Sequence, residues 1–181
     1  MTEPLRKPPR KNPVARTRQP THPPGARSRR ALGLTAAAAQ GEFKLQVCQS
    51  CNAVQYPPRE VCHECLSEQL QWSPVDPRGT LLAGTTLDHS NDLYFRERLP
   101  WRVGTVIMNA GPSVVAHIHG DCTDGDAIRL SLKLDRSGQA VMVALPASPT
   151  PHMEDDPVLR ENTCDPKFRR ALVTDGKTAI G

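Results

Sequence analysis

Aromatic side chains are scarce in this sequence and make up 4% of its 181 residues. Hydrophobic residues account for 38%, which is little for one core extending along the whole chain. No apolar stretch reaches the roughly 20 residues that a membrane-spanning helix requires, and we find no apolar export signal. We therefore expect a cytoplasmic protein without membrane association, built from one modest folded domain with extended flanking segments.

The sequence also lacks a complete set of catalytic residues. It contains no nucleophile with a neighbouring base, no paired carboxylates and no complete phosphate-binding loop. His117 and His119 lie two residues apart in a predicted strand and so share one side of it. A metal or acid–base pair is one interpretation, but no third ligand accompanies them, and solvent-facing polar side chains are the simpler one. We predict that the chain is not an enzyme in its own right.

Positive charge is concentrated near the amino terminus. The first thirty residues carry nine of the 23 Lys and Arg, one of the 19 Asp and Glu and seven of the 18 Pro. High charge with low hydrophobicity predicts disorder, so we assign residues 1–33 to a disordered basic tail and expect the part up to Arg30 to be dispensable for folding. The tail is either a solvated extension or a nonspecific, salt-sensitive contact for acidic surfaces or RNA.

Four of the six cysteines form two Cys-x-x-Cys pairs separated by ten residues, namely Cys48 with Cys51 and Cys62 with Cys65. Each pair can place two thiolates on one tight turn, and a hairpin between the pairs brings the turns together. Four thiolates about 2.3 Å from one ion complete a tetrahedral site without an open position. We predict one structural zinc ion per chain, with two disulfides or four free thiols as the alternatives. Cys122 and Cys164 are predicted to be ordinary thiols.

Downstream of these cysteines, apolar and polar residues alternate with the period of two that is typical of strands. In residues 128–135 the even-numbered positions are apolar, and the odd-numbered ones, including Asp135, are predicted to face water. Five such strands within some seventy residues are typical of an OB-fold, a five-stranded Greek-key barrel. We predict a mainly β protein, with a helix over residues 35–40 and a zinc ribbon within residues 34–73, followed by an OB-fold over residues 74–147.

A short helix, a ribbon with these four cysteines and a small barrel resemble the rubredoxin-like zinc-ribbon/OB-fold family, a domain of unknown function associated with thiolases and other acyl-CoA enzymes. The resemblance covers residues 34–146 and is most specific where Trp72 and then Gly79-Thr80-Leu81 follow the cysteines; Leu99-Pro100-Trp101 adds to it. It implies a non-catalytic subunit that forms a hetero-oligomer with a thiolase-like or hydratase-like acyl-CoA enzyme, or with a steroid side-chain aldolase, in lipid or steroid metabolism.

The predicted loop of residues 88–99 joins the first two barrel strands and gathers Tyr94, Phe95, Arg96 and Arg98. OB-folds often bind ligands through such loops, and exposed aromatics beside arginines are typical of interface hot spots. We predict a partner-binding loop, with packing of Tyr94 and Phe95 against the barrel as the alternative.

A protein that binds single-stranded nucleic acid is the alternative function, because ribbons, OB-folds and basic arms all occur in that class. Such binding requires stacking aromatics on the barrel and a basic groove. The predicted strands carry almost no aromatics, and the chain beyond its basic tail is net acidic. We therefore expect no specific nucleic-acid binding.

The carboxyl-terminal residues 168–181, after a predicted linker over residues 148–167, resemble the opening strand and glycine turn of a short-chain dehydrogenase/reductase. Asp175 stands where the first glycine belongs and Ala179 where the second does, and the following helix is missing. We predict the truncated start of a Rossmann-like reductase domain that cannot bind a nicotinamide cofactor. A coincidental apolar tail is the alternative.

Overall fold

A three-stranded sheet and a closed β-barrel dominate the computed structural model, which describes residues 22–25, 28–147 and 155–163. In these ranges no helix is long and apolar enough to cross a membrane. In chain order the elements are a 3-10 turn (Arg29–Ala31), α1 (Leu32–Gln40), β1 (Lys44–Cys48), β2 (Val54–Gln55), β3 (Leu70–Pro74), β4 (Arg78–Leu87), α2 (Leu93–Arg96), β5 (Trp101–Met108), β6 (Ser113–Ile118), β7 (Ala127–Leu134), β8 (Ala140–Pro146) and α3 (Pro157–Asn162).

The five strands β4 to β8 form the predicted barrel. Their order is β4-β5-β6-β8-β7, and β7 pairs with β4 to close it. Only β6 and β8 run parallel among these pairs. This five-stranded closed barrel after a three-stranded ribbon, ordered β2-β1-β3, confirms the predicted fold class.

The alternation in β7 places its apolar side chains in the barrel core. Ile128, Leu130, Leu132 and Leu134 are all buried. The prediction for Asp135 was wrong. The alternation places this residue on the side that faces water, but it is buried. Its carboxylate oxygen Oδ1 accepts hydrogen bonds from the Ser137 backbone N–H (2.8 Å), the Ser137 hydroxyl (2.6 Å) and the Gln139 N–H (3.0 Å). The carboxylate therefore stabilises the β7–β8 turn.

Helix α1 joins the ribbon to the barrel. Leu34, Ala37 and Ala38 from the helix belong to the same buried cluster as Leu45 of the ribbon and the inward residues of the barrel. The Thr35 hydroxyl accepts a hydrogen bond from the Ala140 N–H at 3.2 Å. The ribbon and the barrel therefore share one core.

Ordered structure begins earlier than the sequence predicted. The segment that was assigned to the disordered tail contributes the 3-10 turn and the first residues of α1. The Ser28 hydroxyl accepts from the Arg30 N–H at 3.2 Å, and the Arg30 guanidinium pairs with Glu60. Pro23 is also buried. Residues 1–21 lie outside the described ranges, and for them disorder stays a prediction.

The predicted linker also contains ordered structure. Within the described part of residues 148–167, α3 begins at Pro157, and Asp156 caps it by accepting from the Val158 and Leu159 N–H groups at 2.9 and 3.1 Å. Leu159 packs with Val143 and Leu145 outside the main core. The predicted reductase-like segment, residues 168–181, lies outside the described residues.

Gly33 of α1 lies directly against the indole of the sheet residue Trp72. A Cβ atom at position 33 would lie 2.0 Å from Cε2 of the indole. In an unobstructed helix, Gly to Ala stabilises by about 1 kcal/mol. For Gly33→Ala we expect the opposite sign, a loss of about 1–3 kcal/mol in the free energy of unfolding, because the indole must move. Urea unfolding of the metal-loaded protein measures this.

The control for this prediction is Ala36→Gly, at an exposed position of the same helix. It should lower the free energy of unfolding by about 1 kcal/mol through helix propensity alone. A Gly33→Ala protein that is as stable as wild type would contradict the close packing of α1 on Trp72.

Candidate functional site

The four predicted metal ligands converge at one end of the ribbon. The Sγ atoms of Cys48, Cys51, Cys62 and Cys65 all lie within 4.8 Å of one another. Cys48 and Cys65 are 3.6 Å apart at sulfur, and so are Cys51 and Cys62. In a tetrahedron with zinc–sulfur bonds of about 2.3 Å, neighbouring sulfurs are about 3.8 Å apart. The cluster therefore has the size of a four-thiolate site for one metal ion.

Two equivalent turns position these thiols. In the first, the Asn52 N–H donates to the Cys48 carbonyl at 2.9 Å, and in the second the Leu66 N–H donates to the Cys62 carbonyl at 3.1 Å. The donor residue has a φ of 60° in both turns. This left-handed conformation is accessible to Asn but unfavourable for Leu. The same backbone geometry therefore occurs in both turns. In the second turn it forces Leu66 into a conformation that leucine disfavours.

Two buried glutamines hold the turns together. The Gln46 carbonyl oxygen Oε1 accepts from the Arg59 N–H at 2.8 Å and from the Gln55 amide at 3.0 Å. Gln55 Oε1 in turn accepts from the His63 N–H at 3.1 Å. These bonds connect β1 and β2 to the chain that leads into the second turn. The sequence pattern gave no sign of this network.

The electrostatics of the cluster favour a bound cation. Burial disfavours the thiolate of Cys48, but the N–H groups of Cys51 and Ser50 outweigh it and lower the pKa of Cys48 to about 6. The Ala53 N–H lowers the pKa of Cys51, yet the neighbouring thiols and burial raise it to about 12. Four thiolates at these distances repel one another, and a divalent ion removes the repulsion. The donor set suits zinc, which would be held without an open coordination position.

Cys122 differs from the four clustered cysteines. It is fully buried in the barrel, and burial raises the pKa of its thiol to about 11. Its Sγ lies 3.8 Å from the Ala144 carbonyl oxygen. A protonated, inaccessible thiol is unreactive, which agrees with its interpretation as an ordinary thiol.

Each of the two strand histidines has a role in packing. His117 Nδ1 accepts a hydrogen bond from the Trp101 indole N–H at 2.6 Å, and the two rings form a T-shaped pair. His119 follows the end of β6 and is buried. Its Nδ1 accepts from the Asp121 N–H at 3.2 Å. These contacts favour structural roles over the metal or acid–base interpretation.

The loop predicted to bind a partner contains helix α2, and it does not expose all its aromatics. Tyr94 is 1% exposed, and its hydroxyl donates to Asn162 Oδ1 at 2.8 Å. Arg98 lies over the Tyr94 ring, 3.9 Å from its centroid, and pairs with Glu161 at 3.2 Å. Phe95 is half-buried and packs edge-on against Trp101. Arg96 is the exposed member of the four predicted contact residues.

An exposed apolar patch, which the sequence analysis missed, lies on the outer face of β4, β5 and β6. Leu82, Ile107 and Val115 are 57%, 44% and 61% exposed. Thr105 sits among them, since it pairs with Ala83 on one side and Val115 on the other and is two residues from Ile107. Leu82 faces outward because it alternates with the buried Leu81, and the register shift that follows leaves Ala83 exposed as well. Contiguous exposed apolar side chains are typical of interaction sites.

Comparisons with known proteins agree with this architecture. The family model described as "ChsH2, rubredoxin-like zinc ribbon domain" matches residues 35–71, and that described as "ChsH2, C-terminal OB-fold domain" matches residues 72–135. The two matches are contiguous and together cover more than half of the chain. The protein therefore belongs to the ChsH2 family of zinc-ribbon/OB-fold proteins, and its four clustered cysteines form the zinc site of the ribbon.

A solved structure titled "Ltp2-ChsH2(DUF35) aldolase" is similar to this chain in fold. The TM-score is 0.57 at 21% sequence identity, and the match covers 67% of this chain and 98% of that one. No curated protein matches the sequence. Neither family model extends to residues 168–181, so the reductase-like resemblance of that segment gains no support from them.

Replacing one ligand should release the metal. For Cys62→Ser we expect the zinc content to fall from one per chain to well below half, with loss of the ribbon fold, because metal binding and folding share one free energy in such small sites. Elemental analysis after gel filtration measures the zinc, and Cys122→Ser is the matched control. It replaces another fully buried cysteine and should retain one zinc per chain. Full zinc occupancy in Cys62→Ser would contradict the ligand assignment.

The buried position of Tyr94 generates a separate prediction. Tyr94→Phe leaves the Asn162 oxygen without its donor and should lower the free energy of unfolding by about 1–2 kcal/mol. The control is Tyr56→Phe, since Tyr56 is half-buried without a hydrogen bond from its hydroxyl among the described residues. A Tyr94→Phe protein as stable as wild type would contradict a stabilising hydrogen bond between Tyr94 and Asn162.

Proposed function

We propose that this protein is a non-catalytic accessory subunit or domain of an acyl-CoA-processing enzyme assembly, of thiolase, hydratase or aldolase type, in lipid or steroid metabolism. Two findings support the proposal. The chain belongs to the ChsH2 family, and the similar solved structure carries ChsH2 together with an aldolase in its title. A cytoplasmic location suits its reduced thiols, because zinc-binding thiolates persist in a reducing compartment.

The exposed patch of Leu82, Ile107 and Val115 is the observation that carries this proposal. The barrel interior is filled by its own side chains, including Leu81, Val106 and Ile128. We therefore expect the barrel to bind other molecules through its surface and loops. An apolar protein surface is the occupant that such a patch favours. Aliphatic side chains do not provide the stacking platforms that single-stranded nucleic acid requires, which makes the alternative function less favourable.

The loop of residues 88–99 connects the ends of β4 and β5 that lie beyond this patch, where Leu87 pairs with Trp101. It begins after Leu87, which ends β4 and is 41% exposed. Arg96 projects from α2 as an exposed cation, and the rim of a protein interface is usually polar. We therefore propose Arg96 as a polar contact at the outer edge of an interface that extends from the patch along β4 towards the loop. Tyr94 and Arg98 fix the loop to α3 through Asn162 and Glu161. Phe95 is half-buried and packs on Trp101, so part of its ring is available to a partner.

Capture of the tagged full-length chain from its native cells tests the function. We expect an acyl-CoA enzyme of the thiolase, hydratase or aldolase class in stoichiometric amount. The double variant Leu82→Asp/Val115→Asp should lose at least 90% of this enzyme while it keeps one zinc and the wild-type melting temperature, because two buried carboxylates would face an apolar surface. Recovery of the enzyme at wild-type yield would remove the patch from the interface.

The matched control for this test is Leu32→Asp. Leu32 is 59% exposed, similar to Leu82, but lies on α1, which packs against β7 and β8. It should retain the captured enzyme. Turnover of an acyl-CoA by the isolated chain, without any partner, would overturn the accessory role itself, and capture of nucleic acid alone that withstands high salt would favour the alternative function.

A further inference from the structure

A small cleft lies beside the 88–99 loop, between β8 and α3. Its volume is about 50 Å³, which is well below the roughly 300 Å³ of a site for a drug-sized ligand. Pro23 contributes to its lining together with Tyr94, Phe95, Trp101, His117 and Leu159. The proline comes from residues 22–25, which precede the 3-10 turn and are far in sequence from the other lining residues. The cleft is therefore where the amino-terminal extension meets the barrel.

The rings in this cleft form a fixed platform. Phe95 and Trp101 are in edge-to-face contact with centroids 5.3 Å apart, and Trp101 and His117 are in edge-to-face contact at 4.9 Å. The hydrogen bond from the indole N–H to His117 Nδ1 sets the orientation of both rings. Trp101 is 4% exposed. Ring positions that are set in this way present an apolar surface of defined shape.

The polar groups around the cleft are already engaged. The Tyr94 hydroxyl donates to Asn162, and the Asn162 amide donates to the Val158 carbonyl at 2.7 Å. The Asp135 carboxylate accepts from Ser137 and Gln139. A charged or strongly polar ligand would have to break these bonds, so the cleft favours an apolar group.

Pro23 fits this requirement. It is buried although its neighbours His22, Pro24 and Gly25 are exposed. Proline-rich segments dock in aromatic-lined grooves because their extended conformation is already restricted and little entropy is lost on binding. We propose that the aromatic cleft is a proline-binding site, and that its resident ligand is the chain's own segment of residues 22–25, which acts as a displaceable clamp for the amino-terminal extension.

Tethering explains why this ligand occupies the cleft. An intramolecular segment acts at an effective concentration in the millimolar range, so even a weak proline contact remains filled. Because of this high effective concentration, a free peptide of identical sequence should compete poorly with the tethered segment. Removing Pro23 from the chain should therefore open the cleft to a peptide supplied in solution.

The first test measures the order of the segment in the full-length protein. Backbone order parameters of His22 and Gly25 should lie near 0.85 in the wild type and fall below about 0.6 in Pro23→Ala, values that separate rigid from flexible backbone. Pro20→Ala is the control and should leave both unchanged. The Trp101 indole N–H resonance, assigned with Trp101→Phe, should shift in Pro23→Ala and not in Pro20→Ala. Flexible His22 and Gly25 in the wild type would overturn the clamp.

The second test supplies the ligand from outside. A synthetic peptide of residues 18–27 should shift the Trp101 indole resonance of full-length Pro23→Ala protein in a saturable way, and bind wild-type protein at least tenfold more weakly. A peptide of the same charge with Pro23 replaced by alanine should not bind. If the unmodified peptide gives no saturable shift at about 5 mM, above the effective concentration of a short tether, the cleft is not a proline-binding site.

Discussion

Repulsion between four thiolate groups at one end of the ribbon is the constraint on which the rest of the structure depends. The sulfurs are close enough that they cannot all ionise without a cation. Strand β2 consists of only two residues and adds little backbone pairing to β1. Strand β1 ends at Cys48 and carries Leu45 into the core that α1 and the barrel share. Neutralising the thiolates therefore stabilises the strand that anchors the ribbon to the barrel, and the metal acts on the whole fold through it.

The features that the sequence predicted depend on short-range patterns. The spacing of the four cysteines determines two turns, and the alternation in β7 separates a buried face from an exposed one. Gly41 ends α1 in a left-handed conformation, with a φ of 74°, as a glycine after a helix usually does. Each of these signals is contained in fewer than twenty residues. The ribbon and the barrel strands could therefore be predicted without knowing which distant residues are in contact.

The features that the sequence analysis missed depend on contacts with residues far along the chain or on details of a single turn or strand. Tyr94 is buried against Asn162, which lies 68 residues further along the chain and accepts a hydrogen bond from the Tyr94 hydroxyl. A pattern that gathers aromatics and arginines cannot distinguish this packing from an exposed hot spot. Asp135 is buried because a turn uses its carboxylate, which interrupts the alternation at its last position. Leu82 is exposed because it alternates with the buried Leu81, and a pair of adjacent leucines does not show which of the two faces the core.

The thiols of the metal site are unequally exposed. Cys48 and Cys62 are completely buried, whereas Cys51 and Cys65 lie at the surface. Chelators and oxidants in solution thus reach one thiol of each turn first, and the buried thiols follow only after the ribbon opens. Thiolate oxidation to a sulfenic acid or a disulfide removes a ligand, and the loss of one ligand costs the ribbon its fold. The outer pair of sulfurs therefore links the integrity of this domain to the oxidation state of its surroundings.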